Sequence, residues 1–282
     1  MSDTAPRMAR RVCAHLIGRT AEGRAVGVVA PEGGWALPGA RVRFGEDPAE
    51  VARRAGGAAP GAALVPHDVR SEIVTVRDAA GEPVPMHVDR VYYTAPVAPE
   101  EAAGRPTLPL ERAMALPALP AAGALVEEEP ARPTPSLRRF ASYGIVTDAA
   151  GRILLSKIAP GFPAAGCWHL PGGGVDDGED VRAALERELF EETGQRGGTG
   201  DLVTIAWHHR TGEIGPQSPD TEIYAVWVFL HVHVADPTPL RVIETDGSTT
   251  DCAWFTPEDL PHLRLSTTAR RGLTALATPI AP

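Results

Sequence analysis

The sequence predicts an α+β protein in which two domains of the same design follow one another. The chain has 282 residues, which is enough for two average domains, although one large domain would also fit this length. One segment recurs about 130 residues further along the chain with part of its chemistry missing. In each copy, apolar runs separated by turn pairs such as Ala80-Gly81 and Ala150-Gly151 surround a Gly-rich loop and a helical segment. This order predicts a mixed arrangement of strands around one main helix per copy.

The recurring segment sets the predicted domain boundaries. Its shared residues, at an offset of 133, are Trp35, Leu37, Pro38, Gly39, Gly45, Glu46, Asp47 and Arg54, matched by Trp168, Leu170, Pro171, Gly172, Gly178, Glu179, Asp180 and Arg187. Upstream, Arg10-Arg11 matches Arg138-Arg139 at a smaller offset, so the second copy has a longer loop before its Trp. The stretch between the copies is rich in Ala, Pro and Glu. We predict a first domain over 1–125, a linker over 126–137 and a second domain over 138–282.

Composition restricts the compartment and the partners. A net charge of -9 argues against a stable nucleic-acid complex, because binding to a phosphate backbone needs clustered Lys and Arg. No segment approaches the roughly 20 apolar residues of a membrane span, so no membrane partner is expected. Cys13, Cys167 and Cys252 are far apart and form no CxxC pair, which fits a reducing cytoplasm.

The second copy carries an acidic helix, predicted from about Val181 to Thr193. Asp180 suits an N-cap, and Gly194 lies where a left-handed residue ends a helix. At 100° per residue, Glu188 and Glu192 fall within the inward-facing apolar arc, and Glu191 lies beside them. Like charges at these spacings repel one another. A divalent cation that prefers oxygen ligands, such as Mg²⁺ or Mn²⁺, would resolve the conflict.

An alternative interpretation treats ERELFEE as a solvated acidic face, as most charge runs are. Two observations favour a site. Glu188 and Glu192 continue the core-facing stripe, and the run from Pro171 to Gly174 leaves backbone free to approach a ligand.

These residues resemble the Nudix box, whose pattern is G-x5-E-x7-R-E-U-x-E-E-x-G-U with U an aliphatic residue. The matching positions are Gly173, Glu179, Arg187, Glu188, Leu189, Glu191, Glu192 and Gly194. Only the last position departs from the pattern, being Gln195, and this position packs rather than reacts. The flanking segments extend the resemblance across roughly 138–275.

The resemblance implies two Nudix-type α/β/α sandwich domains with mixed sheets, in tandem. It also implies a Mg²⁺- or Mn²⁺-dependent hydrolase that cleaves a diphosphate linkage by attack of water on phosphorus. The implied metal ligands are the carbonyl of Gly172 and the carboxylates of Glu188, Glu191 and Glu192. The implied catalytic residues are Glu188, which would also activate water, Arg187, which would orient a glutamate, and Glu179, which would support the metal cluster.

The substrate and the role of the first copy stay open at this stage. A small phosphorylated partner is expected, with a nucleoside triphosphate, ADP-ribose or a nucleotide sugar as candidates. A non-hydrolytic nucleotide sensor and a tailoring pyrophosphohydrolase of a specialised biosynthetic pathway are the alternatives. The first copy has Ala55, Ala58 and Ala59 where the second has glutamates, so it is predicted to be a degenerate domain. It is predicted to support the second copy, to form a pseudo-dimer with it or to help it bind substrate. The alternatives are a relic that contributes only stability and, for the assembly, a homodimer.

Some residues outside the box are weaker candidates. Glu222, at the start of an apolar strand, is predicted as an additional base or metal ligand. Trp207, His209 and Arg210 follow the box on a predicted strand and are predicted to contact the substrate, although such residues more often serve surface or core packing.

Overall fold

The computed structural model describes residues 8–29, 34–78, 80–116, 129, 132–213, 220–245 and 247–277. Its strands are β1 (Ala9–Arg19), β2 (Ala25–Val26), β3 (Val28–Val29), β4 (Trp35–Ala36), β5 (Gly39–Arg41), β6 (Val65–Arg77), β7 (Pro83–Pro96), β8 (Thr107–Leu108), β9 (Ser136–Asp148), β10 (Ile153–Ile158), β11 (Trp168–His169), β12 (Gly172–Gly174), β13 (Gly198–Glu213), β14 (Thr221–Val234) and β15 (Thr249–Phe255). Its helices are α1 (Pro48–Gly56), α2 (Pro99–Ala102), α3 (Leu110–Ala113), α4 (Val181–Thr193) and α5 (Thr267–Ala277). None of the described helices is long and apolar enough to cross a membrane.

The chain divides into two compact units. The first consists of Met1–Arg138 together with Trp207–Tyr224, and the second of Arg139–Ala206 together with Ala225–Pro282. Segment 207–224, predicted from the sequence to belong to the second domain, thus clusters with the first half. The predicted boundaries themselves stay a prediction, and residues 126–128, 130 and 131 of the predicted linker lie outside the described residues.

The first unit contains a mixed sheet with the strand order β6-β7-β1-β2-β8, and β5 also pairs with β1. β1 runs parallel to β7 over its whole length, whereas its pairings with β2 and β5 are antiparallel. Neighbouring residues of a strand point to opposite faces. Gly56 of α1 lies directly against Leu16, while Ile17 packs with Ala113 of α3. A helix therefore covers each face of the sheet.

The second sheet has the order β11-β10-β9-β14-β13, with β12 paired to β9 and β15 paired to β10. The alternation along β9 again separates two faces. A Cβ on Gly144 would lie 3.3 Å from Leu185 of α4, whereas Ile145 packs in a core cluster with Ala269 of α5. The α+β fold class and the helix-sheet-helix layering predicted from the sequence are confirmed.

Helix α1, with 9 residues, is shorter than α4, which has 13. Asp47 caps it, because its Oδ1 accepts a hydrogen bond from the Ala49 amide at 2.8 Å. The helix ends at Gly56, and Gly57 closes it with φ 70° and an amide that donates to the Arg53 carbonyl. Ala58 and Ala59, aligned with Glu191 and Glu192, therefore lie beyond the helix. The first copy lacks the last helical turn as well as its glutamates.

Buried histidines make the stability of this fold sensitive to acid. His15 is fully buried, and its burial, followed by the charge of Arg90, lowers its pKa from 6.5 to about 3. Below pH 6.5 the unfolded chain gains a proton at His15 that the folded chain does not accept, so stability falls as pH drops towards 3. At about 1.4 kcal/mol per pKa unit, this group alone removes about 3 kcal/mol between pH 6.5 and 4.

Urea unfolding at pH 7 and pH 4.5 measures this effect. We expect His15→Gln to unfold with a smaller difference between the two pH values than the wild-type protein. His233, which is exposed, supplies the control, because His233→Gln should keep the wild-type difference. Equal pH differences in all three proteins would contradict the assignment to His15.

Candidate active site in the second half

Helix α4 forms where the sequence predicts it, because both of its ends are capped. Asp180 Oδ1 accepts from the amides of Arg182 at 2.9 Å and Ala183 at 3.3 Å. Gly194, with φ 72°, donates its amide to the Phe190 carbonyl at 2.8 Å. The apolar face of the helix is fully buried and consists of Val181, Ala184, Leu185 and Leu189. The glutamates of the last two turns therefore project from a fixed backbone.

Arg187 holds the carboxylates of the box together. Its Nε and Nη2 donate to the two oxygens of Glu179 at 2.9 and 3.0 Å, a bidentate arrangement. Its Nη1 donates to Glu188 Oε1 at 3.0 Å and to Glu191 Oε2 at 3.1 Å. Glu179 first, and then Glu188, raise the pKa of Arg187. One guanidinium thus fixes three acidic side chains.

Glu192 joins the helix to the Gly-rich strand and to β15. Its side chain is buried, its Oε2 accepts from the Gly172 amide at 3.1 Å, and its Oε1 accepts from Thr249 Oγ1 at 2.8 Å. Burial raises its pKa to about 8, and the charge of Glu188 acts in the same direction. Burial also raises the pKa of Glu188, although Arg187 opposes this shift. Burial is therefore the main cause of both shifts, and the neighbouring carboxylates add to it.

Gly173 allows the Glu188 carboxylate to approach the backbone. A Cβ on Gly173 would lie 2.6 Å from Glu188 Oε1, closer than real Cβ contacts allow. At Gly174 the nearest atom to a Cβ would be Arg139 Nη2 at 3.6 Å, an ordinary contact. The glycine at position 173 is therefore required by the position of Glu188.

We expect Gly173→Ala to displace the Glu188 carboxylate and to lower kcat by about 100-fold, since misplacement of a catalytic group by 1 Å can have this effect. Gly174→Ala is the matched control and should keep kcat within a few-fold of the wild-type value. Steady-state kinetics gives kcat for the two variants, and circular dichroism checks that both are folded. Equal losses in both would mean that the contact with Glu188 is not the reason for the glycine.

Glu244 and Ser142 also lie beside the box. No motif or spacing in the sequence links either residue to it. The backbone amides of Ile243 and Glu244 donate to the Glu191 carbonyl at 2.7 and 3.0 Å. The Glu244 carboxylate raises the pKa of both Glu188 and Glu192, so it lies close to them. Ser142 pairs with Gly173 across the β9–β12 ladder, and its buried Oγ has no hydrogen-bond partner among the described residues.

The predicted residues outside the box belong to the first compact unit, not to the unit that contains the box. Glu222 is held by Arg132, whose Nε donates at 2.8 Å, and by His209 Nε2 at 2.7 Å. These two partners, Arg132 first, lower the pKa of Glu222. His209 and Arg132 both contact the ring of Phe44. The predicted roles of Glu222 and His209 in catalysis and binding stay predictions, and both side chains take part in an ionic and aromatic cluster.

Trp207 and Arg210, the other two residues predicted to contact substrate, differ in exposure: Trp207 is half-buried and Arg210 is exposed. Trp207 packs near Tyr224, with ring centroids 6.4 Å apart. Arg210 is exposed and makes a weak ion pair with Glu213 at 3.4 Å. Their predicted contact with substrate stays a prediction.

The box carboxylates do not surround a common point in this structure. Among the residues that the structure describes, no three His, Cys, Asp or Glu side chains form a group able to hold a metal ion. The carboxylates are separated because each is hydrogen-bonded elsewhere. Glu188 and Glu191 accept from Arg187. Glu192 accepts from Gly172 and Thr249.

Comparison with known proteins places the family resemblance in the second half of the chain. The model of the NUDIX domain matches residues 137–276. The nucleoside triphosphatase NudI of Escherichia coli O139:H28 is 33% identical over 128 residues, which cover 44% of this chain and 86% of that protein. The NudI protein of Shigella flexneri gives the same values.

Solved structures give matches of similar extent. The MutT NUDIX hydrolase from Burkholderia pseudomallei is 30% identical, with a TM-score of 0.38, covering 50% of this chain and 98% of that one. The MutT protein from Methanosarcina mazei Go1 is 20% identical, with a TM-score of 0.40, covering 52% of this chain and 96% of that one.

Proposed function

Because this chain belongs to the Nudix family and is a hydrolase of phosphoanhydrides, we propose that its second half cleaves the diphosphate linkage of a nucleoside triphosphate with the help of a divalent cation. The observation that carries the proposal is the arrangement of Glu179, Glu188 and Glu191 around Arg187, next to the Gly-rich strand β12. The similarity to the NudI triphosphatases favours the triphosphate over ADP-ribose or a nucleotide sugar.

The residues present fit Mg²⁺, which prefers carboxylate and carbonyl oxygens. Glu188, Glu191, Glu192 and the Gly172 carbonyl would hold the ion. Two features support the fit: the pKa values of Glu188 and Glu192 are raised, and the buried Ser142 hydroxyl is free to bond to a further polar group at this face. When bound, such an ion lowers the pKa of a coordinated water and offsets the charge of phosphate oxygens.

The side chains of this chain contribute positioning and proton transfer. Glu188 is half-buried and has a raised pKa, which suits the carboxylate that accepts a proton from the attacking water. Arg187 keeps Glu188 and Glu191 in place through paired hydrogen bonds. Glu192 fixes the distance between α4 and the strand that presents the Gly172 carbonyl.

A phosphate-release screen tests the proposed reaction. Nucleoside triphosphates, ADP-ribose and nucleotide sugars are incubated with Mg²⁺ or Mn²⁺ and a coupling pyrophosphatase or phosphatase. We expect one or a few nucleoside triphosphates to be turned over far faster than the rest, and EDTA to abolish the activity. Turnover of ADP-ribose or a nucleotide sugar alone would reject the triphosphate, and binding without any turnover would point to a non-hydrolytic sensor.

We also propose that the first half is a degenerate copy of the same fold. In both units the strand that precedes the main helix pairs with the first long strand, as Gly39 opposite His15 and as Gly172 opposite Tyr143. The ion pair between Arg54 and Glu46 at 3.0 Å corresponds to that between Arg187 and Glu179. The first copy keeps this pair although it has lost the glutamates of the last turn.

A further inference from the structure

The first unit contains a cavity of about 360 Å³ at the end of α1. It lies between the residues that follow the helix and the ends of β1 and β7. Its lining is made mainly of glycine and alanine, with Gly56, Gly57, Ala58, Ala59 and Ala62 on one side and Leu16 on another. The cavity is within the usual size range of ligand sites, roughly 300–1,000 Å³.

The cavity exists because α1 ends one turn early. From equivalent N-caps, α4 runs for 13 residues and α1 for only 9. In the second unit the last turns of the helix supply Leu189, Glu192 and Thr193, and all three side chains are buried. The aligned residues of the first copy are Gly56, Ala59 and Pro60, whose side chains are smaller. The smaller side chains and the missing helical turn leave an opening that is large enough for a small ligand.

The lining indicates the shape of the ligand. Glycine and alanine leave a space bounded largely by backbone, and such a space suits a flat ring. Glu101 and Arg105 line the same cavity, are exposed, and are four residues apart. A guanidinium binds phosphate through paired hydrogen bonds. A carboxylate accepts hydrogen bonds from ribose hydroxyls.

We propose that this cavity binds a nucleoside monophosphate, with the base among the small residues, the ribose at Glu101 and the phosphate at Arg105. The site is separate from the catalytic box and needs no metal ion. It gives the first copy a binding role in place of the metal site that it has lost.

Isothermal titration of the full chain with AMP and with GMP, in EDTA, tests the site without metal-dependent binding or turnover at the box. We expect saturable binding of one or both nucleotides at one site per chain. Ala62→Leu should weaken the affinity at least ten-fold, because the larger side chain fills the cavity. Arg105→Gln should also weaken it at least ten-fold, because it removes a hydrogen bond to the charged phosphate. Titration with inorganic phosphate alone should give far weaker binding.

Two matched controls make the result specific. Ala63 is exposed and does not line the cavity, so Ala63→Leu should keep the wild-type affinity. Arg112 is exposed and lies outside the cavity, so Arg112→Gln should do the same. Thermal unfolding shows whether each variant is folded. If Ala62→Leu does not fold, Arg105→Gln still tests the proposal.

The proposal is overturned if neither nucleotide binds in EDTA. It is also overturned if folded Ala62→Leu or Arg105→Gln keeps the wild-type affinity, because binding would then occur elsewhere. Since the titration needs neither metal ion nor hydrolysis, its outcome is independent of the phosphate-release screen.

Discussion

Glu188→Gln is expected to lower kcat by about 10² to 10⁴-fold, the range typical for loss of a group that accepts a proton in the transition state. Gln has the same shape and still fits against Gly173, but it can neither accept the proton nor contribute its negative charge. Arg187 keeps its two bonds to Glu179 and its bond to Glu191. The free energy of unfolding should therefore change little, and kcat measured with the best substrate of the screen reports the chemistry.

Glu186→Gln is the control for charge on the same helix. Glu186 is exposed and accepts a hydrogen bond from Thr199 at 3.2 Å, outside the network of Arg187. Its removal should leave kcat within about two-fold of the wild-type value, since an exposed charge contributes little. If both variants lose activity equally, the net charge of α4 matters and not the position of Glu188.

Local signals in the sequence predicted the helix of the box and its ends correctly. Asp180 and Gly194 act within one turn of the backbone, so their effect does not depend on the rest of the fold. The offsets of the repeat also relate one strand pairing in each unit, although the sequence did not predict the pairing itself. His15 and Tyr143 differ by 128 positions, and Gly39 and Gly172 by 133, which are the two offsets at which the copies match.

Contacts between distant segments could not be predicted in this way. Glu244 follows Glu192 by about 50 residues, and only the folding of the chain after β14 brings it to the box. Likewise, nothing local indicates that Thr249 would bond to Glu192. Such partners depend on tertiary packing, which a single sequence does not encode in its spacing.

The early end of α1 could not be predicted from the alignment of the two copies either. Aligned positions suggested only that alanines replace glutamates at 55, 58 and 59. Gly57, with φ 70°, closes the helix before two of these positions, so the change is one of backbone as well as of side chain. The cavity of the first unit follows from this difference.

Arg187→Lys is expected to lower kcat by about 100-fold although it keeps the positive charge. A lysine ammonium cannot hold Glu179 in a bidentate pair and also reach Glu188 and Glu191, because its donors radiate from one atom. The carboxylates would then separate, and small displacements at a reacting centre have large effects on rate. Since substrate binding does not depend on this geometry alone, kcat should fall more than KM rises.

The chain itself supplies the matched control for this variant. Arg54 occupies the corresponding position of the first copy and bonds to Glu46 at 3.0 Å, and alanines stand where the second copy has Glu188, Glu191 and Glu192. Arg54→Lys makes the same chemical change where no catalytic carboxylates depend on it, so kcat should stay within about two-fold of wild type. A loss of activity in Arg54→Lys equal to that in Arg187→Lys would mean that the arginine serves the fold of each copy. If instead only Arg187→Lys is impaired and Mn²⁺ binding weakens in parallel, the arginine acts by keeping Glu179, Glu188 and Glu191 together at the site.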